Sequence, residues 1–320
     1  MVTLDKESDG TEFLSLQIFS DFNGNYSMMQ WTKLLIVLFL SLQQVDAQLP
    51  STQMHMFKLA SEGKGIEVKE AWYLNGFNKS GYNNQMQFLD GLDKLVISSN
   101  AYYPDSTNDI LLLDFTDLSL DRLTKTVESE YSPTPISMDE FTCIRVEKDG
   151  KDQGLWKYDI NKNAAPIRLL EHLDNVGYHL WLDDERVILF LVDDPNYMAV
   201  AYPDDDSFKV LESNIGRCFK RINSNTFLYV HKISDAHWVL KSHNLQNGKN
   251  TTIVRMPNGV EDFDLLQDNT LICGNNGYIL IYDKQINQEE WLPYVDLSRF
   301  GLDNISRLVM KKNVLITVSE

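Results

Sequence analysis

Tyr131-Ser-Pro-Thr-Pro-Ile-Ser-Met-Asp-Glu-Phe-Thr-Cys-Ile-Arg145 decides the fold, because it is the clearest copy of a unit that recurs to the C-terminus. A short strand interrupted by prolines is followed by a polar turn at Met138-Asp139-Glu140 and by the alternating run Phe141-Thr-Cys-Ile-Arg-Val146. The same turn and strand return at Leu89-Asp90-Gly91 with Leu95-Val-Ile97, and at Asp183-Asp184-Glu185 with Val187-Ile-Leu-Phe190. Three further copies are Asn223-Ser224-Asn225 with Phe227-Leu-Tyr-Val230, Gln267-Asp268-Asn269 with Leu271-Ile-Cys273, and Lys311-Lys312-Asn313 with Val314-Leu-Ile316.

The first apolar residues of these strands, Leu95, Phe141, Val187, Phe227, Leu271 and Val314, are spaced by roughly 40 to 46 residues. Such a period with about four short strands per unit is the signature of a β-propeller. A third strand follows each turn-and-strand pair, as in Asp109-Ile-Leu-Leu-Leu-Asp114, Gly154-Leu-Trp-Lys-Tyr-Asp159 and Tyr197-Met-Ala-Val-Ala-Tyr202. A more polar fourth strand, such as Ile167-Arg-Leu-Leu170, suits an outer edge that must not pair with another molecule. The sixth unit stops after its second strand, and Gln53–Leu59 and Ile66–Tyr73 supply what it lacks. The expectation is therefore an all-β, six-bladed propeller with four-stranded blades, its last blade closed by two N-terminal and two C-terminal strands.

Ahead of the propeller, Lys33 precedes the apolar run Leu34–Leu42 and then Gln43, Gln44 and Val45-Asp46-Ala47. A run of about nine residues is too short to span a bilayer in a helix, which takes roughly 20, but it fits the core of a secretory signal. Residues 28–47 read as a signal peptide with cleavage after Ala47, residues 1–27 as a polar leader ahead of a start at Met28 or Met29, and residues 48–320 as one propeller domain. This makes the mature chain exported, periplasmic or extracellular, without an integral membrane segment, and monomeric.

The chain carries 46 acidic against 29 basic residues, a net charge of −17, and no cluster of Lys and Arg. That balance excludes a nucleic-acid partner, which requires a basic footprint. The three cysteines, Cys143, Cys218 and Cys273, fall inside strands without metal-ligand spacing and read as buried apolar residues. Asp204-Asp205-Asp206 lacks the alternating oxygen ligands and the glycine of a calcium loop and reads as a solvated hairpin tip.

Leu123-Thr124, then Tyr131-Ser132-Pro133, then Met138-Asp139-Glu140-Phe141 resembles the TolB-type repeat, in which Leu-Thr precedes a Ser-Pro strand and a Pro-Asp-Gly turn. Gly154-Leu-Trp-Lys-Tyr158, Val176-Gly-Tyr-His-Leu-Trp181, Gly216-Arg217 and Glu261-Asp-Phe263 extend the likeness to a group of exported TolB-like six-bladed propellers, over roughly residues 53–320. The resemblance implies the fold and, more loosely, a binding role. The turn has drifted from Pro-Asp-Gly in most copies, but Asn and Asp tolerate the left-handed backbone that glycine otherwise provides.

In a propeller the first strand of each blade lines the axial channel. Applied here, the ring collects Asn84 and Gln85, then Tyr131 and Ser132, then Tyr178 and His179, then Arg217, then Glu261 and Asp262, and last Ser306 and Arg307. Arg217 and Arg307 can offer forked donors to a carboxylate, while Glu261 and Asp262 can accept from an ammonium group or hold a cation. The same groups can instead pair with one another and fasten the blades. His179 is the candidate acid or base, or else a satisfied core residue.

No His-Glu-x-x-His, Gly-x-Ser-x-Gly or phosphate-loop pattern is present. The expectation is a non-catalytic module that binds a protein, a peptide or a component of the cell envelope, with no cofactor. The alternative is a metal-assisted hydrolase or lactonase using Glu261, Asp262 and His179 around a divalent cation at the channel mouth.

Overall fold

The computed structural model describes residues 49–320 except 63–64, 90, 104–106 and 284–289, together with Asp5–Lys6 and Glu12–Phe13, which pair as a short antiparallel ladder. The leader, the signal segment with its Ala47 cleavage point, and Asp90 of the first turn lie outside the described residues.

Residues 49–320 form six antiparallel sheets of four strands. Blade 1 runs Asn83–Phe88, Lys94–Ser99, Asp109–Asp114 and Ser119–Arg122. Blade 2 runs Ser129–Pro135, Glu140–Val146, Gln153–Asp159 and Ile167–Leu169, and blade 3 runs Val176–Trp181, Val187–Leu191, Tyr197–Tyr202 and Ser207–Ser213. Blade 4 comprises Ile215–Asn223, Thr226–Ser234, His237–Asn244 and Lys249–Arg255, and blade 5 comprises Phe263–Leu265, Leu271–Asn275, Tyr278–Tyr282 and Leu292–Asp296. In blade 6, Ile305–Lys311 and Val314–Ser319 are followed in the sheet by Gln53–Glu62 and Gly65–Tyr73. The innermost strands touch their neighbours in succession, and that of blade 6 touches that of blade 1, so the ring is closed.

The expected junction between the termini is present, with Val314 opposite Lys58 and Ser319 opposite Gln53. It leaves neither end of the sixth sheet's central strands as a free edge, which would otherwise template pairing with another chain.

The strand pattern follows from a core divided among the blade junctions. In a half-exposed sheet, side chains of one parity are apolar and those of the other polar. Here each second strand is covered on both faces, and every residue of Val187–Leu191 is accordingly buried. Blade 1 shows how the parities are shared: Leu95, Ile97 and Leu111 pack against Ile316 and Val318 of blade 6, whereas Val96, Ile110 and Leu112 pack against Phe141 and Cys143 of blade 2. Each of the other four junctions has its own cluster.

All three cysteines are reduced and buried in such clusters, Cys143 between blades 1 and 2 and the other two between blades 4 and 5. The drifted turns use the left-handed backbone at Gly91, Asn269 and Lys312.

Candidate functional site: the axial ring

Gln85, Tyr178, Arg217 and Arg307 are each the third residue of an innermost strand, so strands entering from one face deliver them to one level of the axis. Bulges sharpen this placement. The ladder slips between Asn84 and Gln87 in blade 1 and around Ser132 in blade 2, where Gln85 and Ser132 take left-handed φ values of 57° and 52°. A non-glycine residue held there costs on the order of 1 kcal/mol and is re-aimed off the regular pleat. The two strained residues support each other, the Ser132 N–H donating to Gln85 Oε1 at 2.8 Å.

The cavity on the axis has a volume of about 80 Å³. Seven of the ring residues expected from the sequence line it: Gln85, Ser132, Tyr178, His179, Arg217, Asp262 and Arg307. Asn84, Tyr131 and Glu261 stand just off it. The Asn84 side chain accepts from the Gln85 N–H, and the Tyr131 hydroxyl accepts from Asn108 at 2.7 Å.

Charged groups dominate the side formed by blades 4 to 6. Arg307 lies 3.5 Å from Asp262, whose other oxygen accepts from the Leu308 N–H. Burial pushes the Asp262 carboxyl above the usual carboxylate range, opposed by Arg307, Lys220 and Arg217. Lys220 pairs with Asp264 at 2.9 Å, and Asp264 also caps the Met310 N–H.

Glu261 takes Lys232 at 2.9 Å and the Arg217 N–H at 3.3 Å, and its contact with the Arg217 guanidinium is longer, at 3.7 Å. Gly216 makes room for this approach: a Cβ there would stand 3.0 Å from Glu261 Oε2.

His179 is held, not free. Its Nε2 shares a 2.7 Å hydrogen bond with Thr142 Oγ1 of blade 2, which also accepts from Trp181 Nε1 at 2.9 Å. Burial drives its pKa down to about 3, so the ring is neutral at physiological pH. The aromatic rings elsewhere are similarly engaged, Arg145 lying 4.2 Å over Trp156 and Lys232 4.4 Å over Trp238. Among the described residues no group of three or more His, Cys, Asp or Glu is arranged to hold a metal ion.

Sequence reasoning missed Lys220, Asp264 and Tyr82. Strict alternation points Lys220 away from the face that carries Arg217, and the slip in the blade 4 ladder between Ile215 and Phe219 is what brings both to the cavity. Tyr82 precedes the first strand of blade 1 and stacks edge-on against Tyr131 at 6.3 Å, within the field of Arg307, Tyr178 and Arg217. Burial raises its phenol pKa.

No family model matches the chain. No curated protein matches it either. Solved structures do. A TolB-type protein of Agrobacterium tumefaciens superposes with a TM-score of 0.60 at 9% identity, over 85% of this chain and 98% of that one. A chain of the nidogen/laminin complex gives 0.57 at 10% identity, over 84% and 98%. TolB of Acinetobacter baumannii gives 0.52 at 10% identity, over 93% and 71%. At these identities the likeness is one of fold: the chain is a six-bladed, TolB-like propeller. No helix among the described residues is long and apolar enough to cross a membrane.

Proposed function

We propose that this chain is an exported propeller that binds a protein, a peptide or an envelope component at the mouth of its axial channel, and that it does not catalyse a reaction there. The observation that carries this reading is the state of the ring's acids and bases. Asp262, Asp264 and Glu261 are each committed to a cation and to a backbone N–H or a second cation, and His179 is neutral and tied to Thr142. A general base needs an open lone pair within reach of a substrate proton, and these groups spend theirs on the blades. The arginines, by contrast, retain donors.

Export is supported by the signal-like Leu34–Leu42 segment and by the resemblance to exported TolB-like propellers. Likeness in fold to a chain of the nidogen/laminin complex supports a protein partner.

The test is quantitative affinity capture from an envelope extract with the whole chain beside its Arg217→Glu variant, followed by titration of what is captured. A saturable partner that is lost with Arg217→Glu is the expected result. Absence of any saturable partner, together with turnover of a small substrate by the purified chain, overturns the proposal.

A further inference from the structure

The axial cavity is unbalanced in two independent respects. The first is charge. Across blades 4 to 6, four cations meet three carboxylates in three sets: Arg307 with Asp262, Lys220 with Asp264, and both Arg217 and Lys232 with Glu261. One positive charge is left over, and His179 adds none. The surplus falls where Arg217 and Lys232 share Glu261, so the Arg217 guanidinium, which lines the cavity, has no carboxylate of its own.

The second is hydrogen bonding. Buried polar atoms in folded proteins nearly always find partners, and those that do not call for an explanation. Along this ring Arg307 Nε, Arg217 Nε, His179 Nδ1 and Ser132 Oγ are all buried without a hydrogen-bond partner. His179 and Ser132 are each only 9% exposed, and the four residues line one cavity. All four atoms belong to groups that can donate, and the Arg217 guanidinium stands 3.7 Å from Glu261.

We infer that the axial cavity is a binding site for one carboxylate group, held between Arg217 and Arg307. The inference rests on the channel-mouth binding reading above and names the chemistry of its ligand. A single negative charge neutralises the surplus, which favours a carboxylate over a phosphate carrying nearly two. A planar carboxylate also matches the fork of a guanidinium, which donates two parallel hydrogen bonds to its two oxygens. The volume of about 80 Å³ admits such a group with a few waters but not a larger ring-bearing molecule. Its source is either a free small carboxylate or the end of a peptide chain reaching down the axis.

The experiment uses calorimetric titration of the whole chain with acetate, with Ala-Ala-Ala bearing a free C-terminus, with the same tripeptide amidated, and with inorganic phosphate. Saturable binding of acetate or of the free tripeptide, absent for the amide and weakened at least tenfold in Arg217→Gln, is the expected result. Arg217 is the chosen position because its side chain is 32% exposed and loosely paired, so the variant keeps the fold, as its thermal midpoint will show. A tripeptide that binds more tightly than acetate identifies a chain end, and equal affinities identify a free carboxylate.

Equal binding of amide and acid, tighter binding of phosphate than of either carboxylate, or indifference to Arg217→Gln overturns the inference. If the carboxylates fail while envelope capture still depends on Arg217, the binding reading stands and the ligand chemistry falls. If they bind but no envelope partner is captured, the reverse holds.

Discussion

Arg307 of blade 6 donates to the hydroxyl of Tyr178 in blade 3 at 2.9 Å, a bond between opposite blades that spans the diameter of the ring. The same guanidinium lies 5.1 Å from the centroid of the Tyr178 ring. One arginine thus ties two elements separated by half the circumference, where the hydrophobic clusters tie only neighbours.

Removing the acceptor should therefore cost more than an ordinary surface bond. Tyr178→Phe leaves a buried guanidinium N–H unpaired while keeping the ring in place. We expect a loss of about 1.5–3 kcal/mol in urea unfolding, the range for a hydrogen bond to a charged group. A loss near zero would show that the cross-ring bond is replaced by water.

Thr142 is the hub between Trp181 and His179, and it is fully buried. Thr142→Val conserves shape but strands both ring nitrogens, and about 2–4 kcal/mol should be lost. The pH response identifies His179. Its pKa falls from 6.5 unfolded to about 3 folded, so between those values only the unfolded chain takes up the proton, and stability falls as pH is lowered through that window. In His179→Gln this portion of the acid sensitivity should vanish.

Glu130 behaves in the opposite sense. It has no exposed surface, receives Thr126 at 2.5 Å and Tyr158 at 3.4 Å on one oxygen, and leaves the other without a partner. Burial pushes its pKa up to about 7 from 4.5. Across that interval the folded chain holds a proton that the unfolded chain has released, so this group weakens the fold as pH rises. Glu130→Gln should match the wild type near pH 4 and exceed it at pH 8, by up to about 3 kcal/mol. Parallel urea melts at the two values check it; a constant difference would assign the effect to packing instead.

Ile316 sits at the seam where the two ends of the chain meet, wholly buried against Met54 and Val318 on one side and blade 1 on the other. Ile316→Ala should cost about 2–5 kcal/mol, as for other large-to-small changes in a tight core. Differential scanning calorimetry should show one transition at a lower midpoint.

The fold was legible because its signals are local and repeated. Val187–Phe190 and Phe227–Val230 announce strands buried on both faces, the spacing from Leu95 to Val314 counts the blades, and the Gln53 strand pairs with Val314–Ser319 in the last sheet as expected. Much of the ring was legible too, since Gln85, Tyr178, Arg217 and Arg307 occupy equivalent places in their strands. What stayed hidden depends on slips in the ladder. The irregularity between Ile215 and Phe219 moves Lys220 to the axis, and nothing in Arg217-Cys218-Phe219-Lys220 marks where a pleat will break. Tyr82 escaped because it precedes its strand, where periodicity has no say.

Closure of the sixth sheet by both ends of the propeller sets an order on biosynthesis. Gln53–Glu62 is among the first strands of the propeller to leave the ribosome, yet its partner Val314–Ser319 follows every other strand of the six sheets. The edge of the earliest strand not paired with Gly65–Tyr73 must therefore wait while the five intervening blades are made, and no nascent copy can complete its circle before Val314–Ser319 has emerged.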